Sequence, residues 1–223
     1  MTWVSHRCQL CPCNFTDNWI CNAAPAAYAE NQNHRHGDRK ARQLCYTASR
    51  IGKSCMKYLT AEWALGCLDE DACEAAVEGY QTYLDALDES DPVWRFVRTP
   101  SVHDAYLDKV VFDRTKQVLK LSVVNGDVQS GYFLTELVYS CARITCGEDV
   151  LRRALSERPS EIWYDEFAGS PRATTHSFLL APIDNDHSRR ADEFSITFGE
   201  FNFTQIRLES RRLTTQDDQS DWG

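Results

Sequence analysis

The side chains best suited to chemistry fall in three places. His103 and Asp104 are adjacent, and an imidazole beside a carboxylate can act as a general base with its orienting partner, or as two ligands of one metal ion. The structural alternative is that Asp104 accepts backbone N–H groups at a turn after Pro100 while His103 packs against a sheet end. Further on come Glu161, Asp165 and Glu166, followed by His176. Paired carboxylates suit acid–base hydrolysis, but on a strand Asp165 and Glu166 point to opposite faces. Glu161 and Asp165 lie roughly 13 Å apart at about 3.3 Å per residue. That exceeds the separation of about 5 to 9.5 Å at which two carboxylates share one glycosidic reaction. A site built here therefore needs His176 or His103 from another strand; otherwise these are surface or edge-strand carboxylates, open to partner binding.

The third place is the thiol-rich beginning. Cys8 and Cys11 have the spacing of a tight zinc knuckle, with Cys13, Cys21, Cys45, His34 and His36 nearby. A two-Cys, two-His finger needs three to five residues between its histidines, whereas one separates His34 from His36, and no second Cys-x2-Cys follows. Zinc held by Cys8, Cys11, Cys21 and His34 is thus set against unpaired cysteines in an irregular segment, and no metal or other cofactor is expected. Cys141 and Cys146 have no activating neighbour in sequence and read as core or loop thiols. Gly-x-Ser-x-Gly, Gly-x-x-x-x-Gly-Lys-Ser/Thr and dinucleotide-binding glycine motifs are all absent, which removes the sequence support for a hydrolase elbow, a P-loop or a Rossmann turn.

The elements that must position these groups become regular only after Met56. Thr60 can cap a short helix holding Trp63, Ala64 and Cys67. Asp69 can cap a longer one in which Ala72, Cys73, Ala76, Val77, Tyr80, Leu84 and Leu87 recur at helical spacing. Its other face is acidic, and Asp91-Pro92 is expected to stop it. Residues 106–112 and 118–124 read as a hairpin across Asp113-Arg114-Thr115-Lys116, and Asn125-Gly126-Asp127 as a further turn before a strand over 132–139. A short helix follows Gly147, then strands over 161–167, 175–181, 194–198 and 203–208. Helices first and strands later, without a βαβ rhythm, predict an α+β domain with N-terminal helices packed beside a mainly antiparallel sheet of six or seven strands.

Charge divides the chain at the same point. Residues 1–55 carry seven Lys/Arg against three Asp/Glu; the remainder carries seventeen against thirty, so its formal charge is -13 within a total of -9. Six of the ten cysteines also lie in the first part. We read residues 1–55 as a poorly ordered Cys-rich extension, upstream of a start at Met56, with a genuine Cys-rich module as the alternative. Residues 56–210 form the single domain, and 211–223 a disordered tail. The pI near 5.1 disfavours nucleic acid and anionic membrane as partners, and the mean hydropathy of -0.48, with no long apolar run, excludes a membrane helix. With no signal-peptide pattern at the N-terminus, the expected compartment is the cytoplasm.

The run Met56-Lys57-Tyr58-Leu59-Thr60-Ala61-Glu62-Trp63 resembles the opening of an uncharacterised bacterial domain family whose members begin Met-Lys-Tyr-Phe-Thr-x-Glu-Trp. His103-Asp104-Ala105 resembles that family's His-Asp element, and Ile162-Trp163-Tyr164-Asp165-Glu166 its Leu-Tyr-Glu-Glu strand, so the likeness covers about 56 to 210. The family has no established reaction, and the likeness implies domain limits and fold class more than activity. In size and style the chain is also similar to small bacterial toxin-immunity proteins. Two functions are carried forward. One is an acidic interaction protein with a basic protein partner such as a toxin; the other is a metal-assisted or acid–base hydrolase using His103, Asp104, Asp165, Glu166 and His176.

Overall fold

Alternation of apolar and polar residues turns the chain into strands from Ala105 onward. The computed structural model describes residues 54–99, 102–156, 160–170, 173–181 and 192–210; the expectations for 1–53 and for the tail 211–223 lie outside them. Eight strands, β1 (Ala105–Asp113), β2 (Val118–Asp127), β3 (Gly131–Ser140), β4 (Arg143–Cys146), β5 (Glu161–Ser170), β6 (Ala173–Leu180), β7 (Asp192–Phe198) and β8 (Glu200–Leu208), form one sheet. Their order is β4-β7-β6-β5-β1-β2-β3-β8, and every neighbouring pair is antiparallel.

The α+β expectation is corrected by this sheet. Strand accounts for 47% of the described residues and helix for 24%, so the fold is mostly antiparallel sheet. Its helices are α1 (Ala61–Ala64), α2 (Glu70–Asp85), α3 (Pro92–Phe96) and α4 (Glu148–Ser156). Local signals for the first two are sound: Thr60 and Asp69 accept from the N–H groups of Trp63 and Ala72. A cap and a helical period establish that a helix forms, however, not how much core it supplies. Of α2's apolar stripe only Tyr80 is buried, and Val77 and Leu84 are half-exposed. The short β4 escapes detection because four residues carry too little alternation to register.

Asp91-Pro92 does not simply end α2. Asp91 accepts from the N–H of Val93 at 2.8 Å and starts α3, where Pro92 occupies a first-turn position that has no intrahelical acceptor to lose. The expected turn at Asn125-Gly126-Asp127 is also displaced. These residues extend β2, and the chain reverses over 128–130, where Asp127 accepts from the N–H groups of Gln129 and Ser130.

The sheet is strongly curled. β3 and β6 are four strand steps apart, about 19 Å in a flat sheet at about 4.8 Å per step, yet Tyr139 and His176 on these strands hydrogen-bond at 2.8 Å. Within that run β1 meets β5 through only two residue pairs, Ala105↔Ile162 and Tyr106↔Glu161. Leu107, Leu121, Leu137, Phe167, Phe178 and Ile196 fill the interior without exposed surface. Phe96 of α3 enters among the aromatic rings, its centroid 5.8 Å from Phe167, 5.5 Å from Phe201 and 5.2 Å from Phe203. No helix among the described residues is long and apolar enough to cross a membrane.

Candidate functional site

Register builds the inner cluster. Phe167 pairs with His176 and His176 with Ile196, while Asp165 pairs with Phe178 and Phe178 with Phe194. Cross-strand partners share a face, so Asp165 and His176 both turn inward. His176 Nε2 lies 2.9 Å from Asp165 Oδ2 and Nδ1 lies 2.8 Å from Tyr139 Oη. An ionised carboxylate only accepts, which assigns the proton of a neutral imidazole to Nε2 and leaves Nδ1 to accept from the Tyr139 hydroxyl. The ring is sandwiched by Phe167 at 3.8 Å and Phe178 at 4.0 Å.

Burial governs the charges here. It lowers the pKa of His176 below 6.5, against the opposing hydrogen bond and charge of Asp165. It also raises the Tyr139 phenol well above its usual value, with the Asp165 charge adding to the effect. Neutral phenol, neutral imidazole and carboxylate form a self-consistent donor–acceptor chain. It has the form of an oriented base, but neither His176 nor Tyr139 has any exposed surface; Asp165 alone retains some, at 15% of its side chain.

The opposite face carries a polar row that runs across four strands. Glu166 on β5 pairs with Ser177 on β6, Ser177 with Ser195 on β7, and Ser195 with Cys146 on β4. Residues 54–59 lie against this row as a strap. Glu166 Oε1 accepts from the N–H of Lys57, and Oε2 accepts from Tyr58 and Leu59 at 2.9 and 2.8 Å. Convergent successive N–H groups make an anion nest, but burial dominates and raises the Glu166 pKa above its usual carboxylate value. Ser177 Oγ donates to the Cys55 carbonyl at 3.2 Å. Glu193 accepts from Ser54 Oγ and, at 2.7 Å, from the N–H of Cys55. Cys55 and Cys146 are joined by a disulfide, with Cα atoms 6.3 Å apart. The reading of Cys146 as a core or loop thiol is therefore corrected, and Ser54 and Cys55, expected upstream of the domain, are attached to it.

His103 sits where the chain enters β1. Its Nδ1 is hydrogen-bonded to the Trp163 carbonyl, its Nε2 lies 3.3 Å from Asp104 Oδ2, and its ring lies 4.9 Å from that of Tyr164. Asp104 takes a left-handed conformation (φ 57°) and its N–H donates to the Ile162 carbonyl at 2.8 Å. The structure thus brings Asp165 and His176 together, turns Glu166 to the other face, and leaves His103 and Asp104 at the β1 entrance. Among the described residues no group of three or more His, Cys, Asp or Glu is placed to hold a metal ion. Cys8, Cys11, Cys21 and His34 lie outside those residues.

Sequence reasoning missed Tyr139, Ser177, Ser195, Glu193 and Cys55. Tyr139 alone had a local signal, since an inward-facing hydroxyl on an apolar strand needs a partner. The other feature of the surface is electrostatic. Asp69, Glu70, Asp71, Glu74, Glu78 and Asp85 are exposed along α2 and its cap, and residues 58–94 contain ten carboxylates and no Lys or Arg. Comparison with known proteins gives no match: no family model, curated protein or solved structure matches the chain.

Proposed function

We propose that this chain is an acidic interaction protein that engages a basic protein partner through the outer face of α2, in the manner of an immunity protein and its toxin. The observation that carries the reading is the exposed, cation-free line of carboxylates at Glu70, Glu74, Glu78 and Asp85. Such a surface steers a partner of opposite sign and weakens as salt screens it over about 10 Å at 0.1 M. The hydrolase reading, built on His103, Asp104, Asp165, Glu166 and His176, has less support. His176 and Glu166 are fully buried, and both already hold structural hydrogen bonds. The proposal includes the likeness of residues 56–210 to the uncharacterised bacterial family, and the cytoplasm as compartment.

The test is capture from the native host with the immobilised full chain. A basic protein retained at low salt, released at high salt and lost with the combined Glu70→Gln, Glu74→Gln and Glu78→Gln variant supports the reading. Failure to retain any basic protein at low salt overturns it.

A further inference from the structure

The bond between Cys55 and Cys146 lies where the strap crosses the last strand of the polar row, and both cysteines are half-buried rather than sealed. The strap has two kinds of attachment. Its distal part, Lys57 to Leu59, is held by three N–H bonds to Glu166. The proximal part, Ser54 and Cys55, is held by Glu193, Ser177 and the covalent bond. Beneath the proximal part Ser177 and Ser195 hydrogen-bond to each other at 2.8 Å and have almost no exposed surface, and Glu193 has little. The disulfide is thus placed to control one end of a strap whose other end has an independent clamp.

We propose that Cys55–Cys146 is a redox latch: oxidised, it closes residues 54–56 over Ser177, Ser195 and Glu193; reduced by a dithiol, it frees that end while Glu166 still holds residues 57–59. A thiolate of the dithiol attacks one sulfur of the protein disulfide and expels the other as a thiolate. The second thiol of the reductant, as thiolate, then attacks the reductant's own sulfur in the mixed disulfide and expels the remaining protein sulfur as a thiolate. The protein leaves with two thiols, and the reductant with one intramolecular disulfide. In a reducing cytosol, the disulfides that form are mostly transient catalytic or redox-sensing ones, which is the behaviour a latch requires.

Hydrogen exchange on the full chain, with dithiothreitol as the dithiol, tests this directly. Non-reducing peptide mapping should first recover a Cys55–Cys146 cross-linked peptide. Reduction should speed exchange at the amides of Cys55 and Met56 by about tenfold or more, as a local opening does, while Tyr58, Leu59 and the β2–β3 amides keep their protection. Because Cys67 is also disulfide-bonded, Cys146→Ser should reproduce the pattern without reductant. If that variant fails to fold, Cys55→Ser, which removes the same bond and spares that of Cys67, serves instead. Absence of the cross-linked peptide overturns the proposal. So does unchanged exchange at Cys55 and Met56, or loss of protection across the strap and β2–β3 together, which would make the bond a global staple.

Discussion

Replacing Glu166 with alanine removes the acceptor for three backbone N–H groups at once. Each buried donor left unsatisfied costs about 1–3 kcal/mol. The simple total is not reached, because the strap can lift and let water replace the carboxylate. Removing a carboxylate whose burial outweighs its hydrogen bonds, as the raised pKa indicates, also returns part of the cost. We expect a net loss of about 2–4 kcal/mol for Glu166→Ala. Glu166→Gln should lose less, about 1–2 kcal/mol, since its amide oxygen can serve Tyr58 and Leu59 while only Lys57 meets a donor. Urea titration reads this as a lower midpoint at unchanged slope, and in a domain of this size each kcal/mol is worth roughly 2–4 °C of Tm. An alanine variant within about 0.5 kcal/mol of wild type would refute the nest as an anchor. A glutamine variant less stable than alanine would refute the acceptor argument.

His176 titrates with its folded value below its ordinary one, so its contribution is complete above pH 6.5 and is lost as pH falls through the lowered value. Urea midpoints at neutral pH and at about pH 5 should therefore diverge in wild type and converge in His176→Phe; an equal acid loss in both would assign it elsewhere. Glu166 has the opposite sign: its contribution is present below the ordinary carboxylate value and is lost as pH rises through its raised one, a loss that Glu166→Gln should remove. Phe96→Ala, which empties the ring site among Phe167, Phe201 and Phe203, should cost about 3–5 kcal/mol by calorimetry or urea titration. Asp91→Ala should cost about 1 kcal/mol through the lost N-cap of α3.

The parts of the fold that were legible in the sequence are those decided within a few residues. The hairpin of β1 and β2 follows from a strand-forming run before Asp113 and the alternation after it, and the Asp113 side chain accepts from the N–H groups of Thr115 and Lys116 and sets the turn. Asp165 and Glu166 face opposite ways as a two-residue period requires. Fold class was not legible, because α2's periodic stripe carries no measure of burial, and its small Ala72 and Ala76 add little core. The site was legible only as residue types. What joins Glu166, Ser177, Ser195 and Cys146 is the register of four strands from separate parts of the chain. The contact of Tyr139 with His176 depends on a curl that brings together strands four steps apart in the sheet.

In the proposed function the charges on α2 serve recognition, while the buried Asp165–His176 and Glu166 groups serve the fold. The direct measurement is the affinity of the captured basic partner for two variants, with folding of each checked by circular dichroism. One combines Glu70→Gln, Glu74→Gln and Glu78→Gln; the other is Asp165→Asn. The first should weaken binding by about tenfold or more at low salt, and the second should leave it unchanged. Binding that survives neutralisation of α2 but is abolished by Asp165→Asn in a folded protein would contradict it.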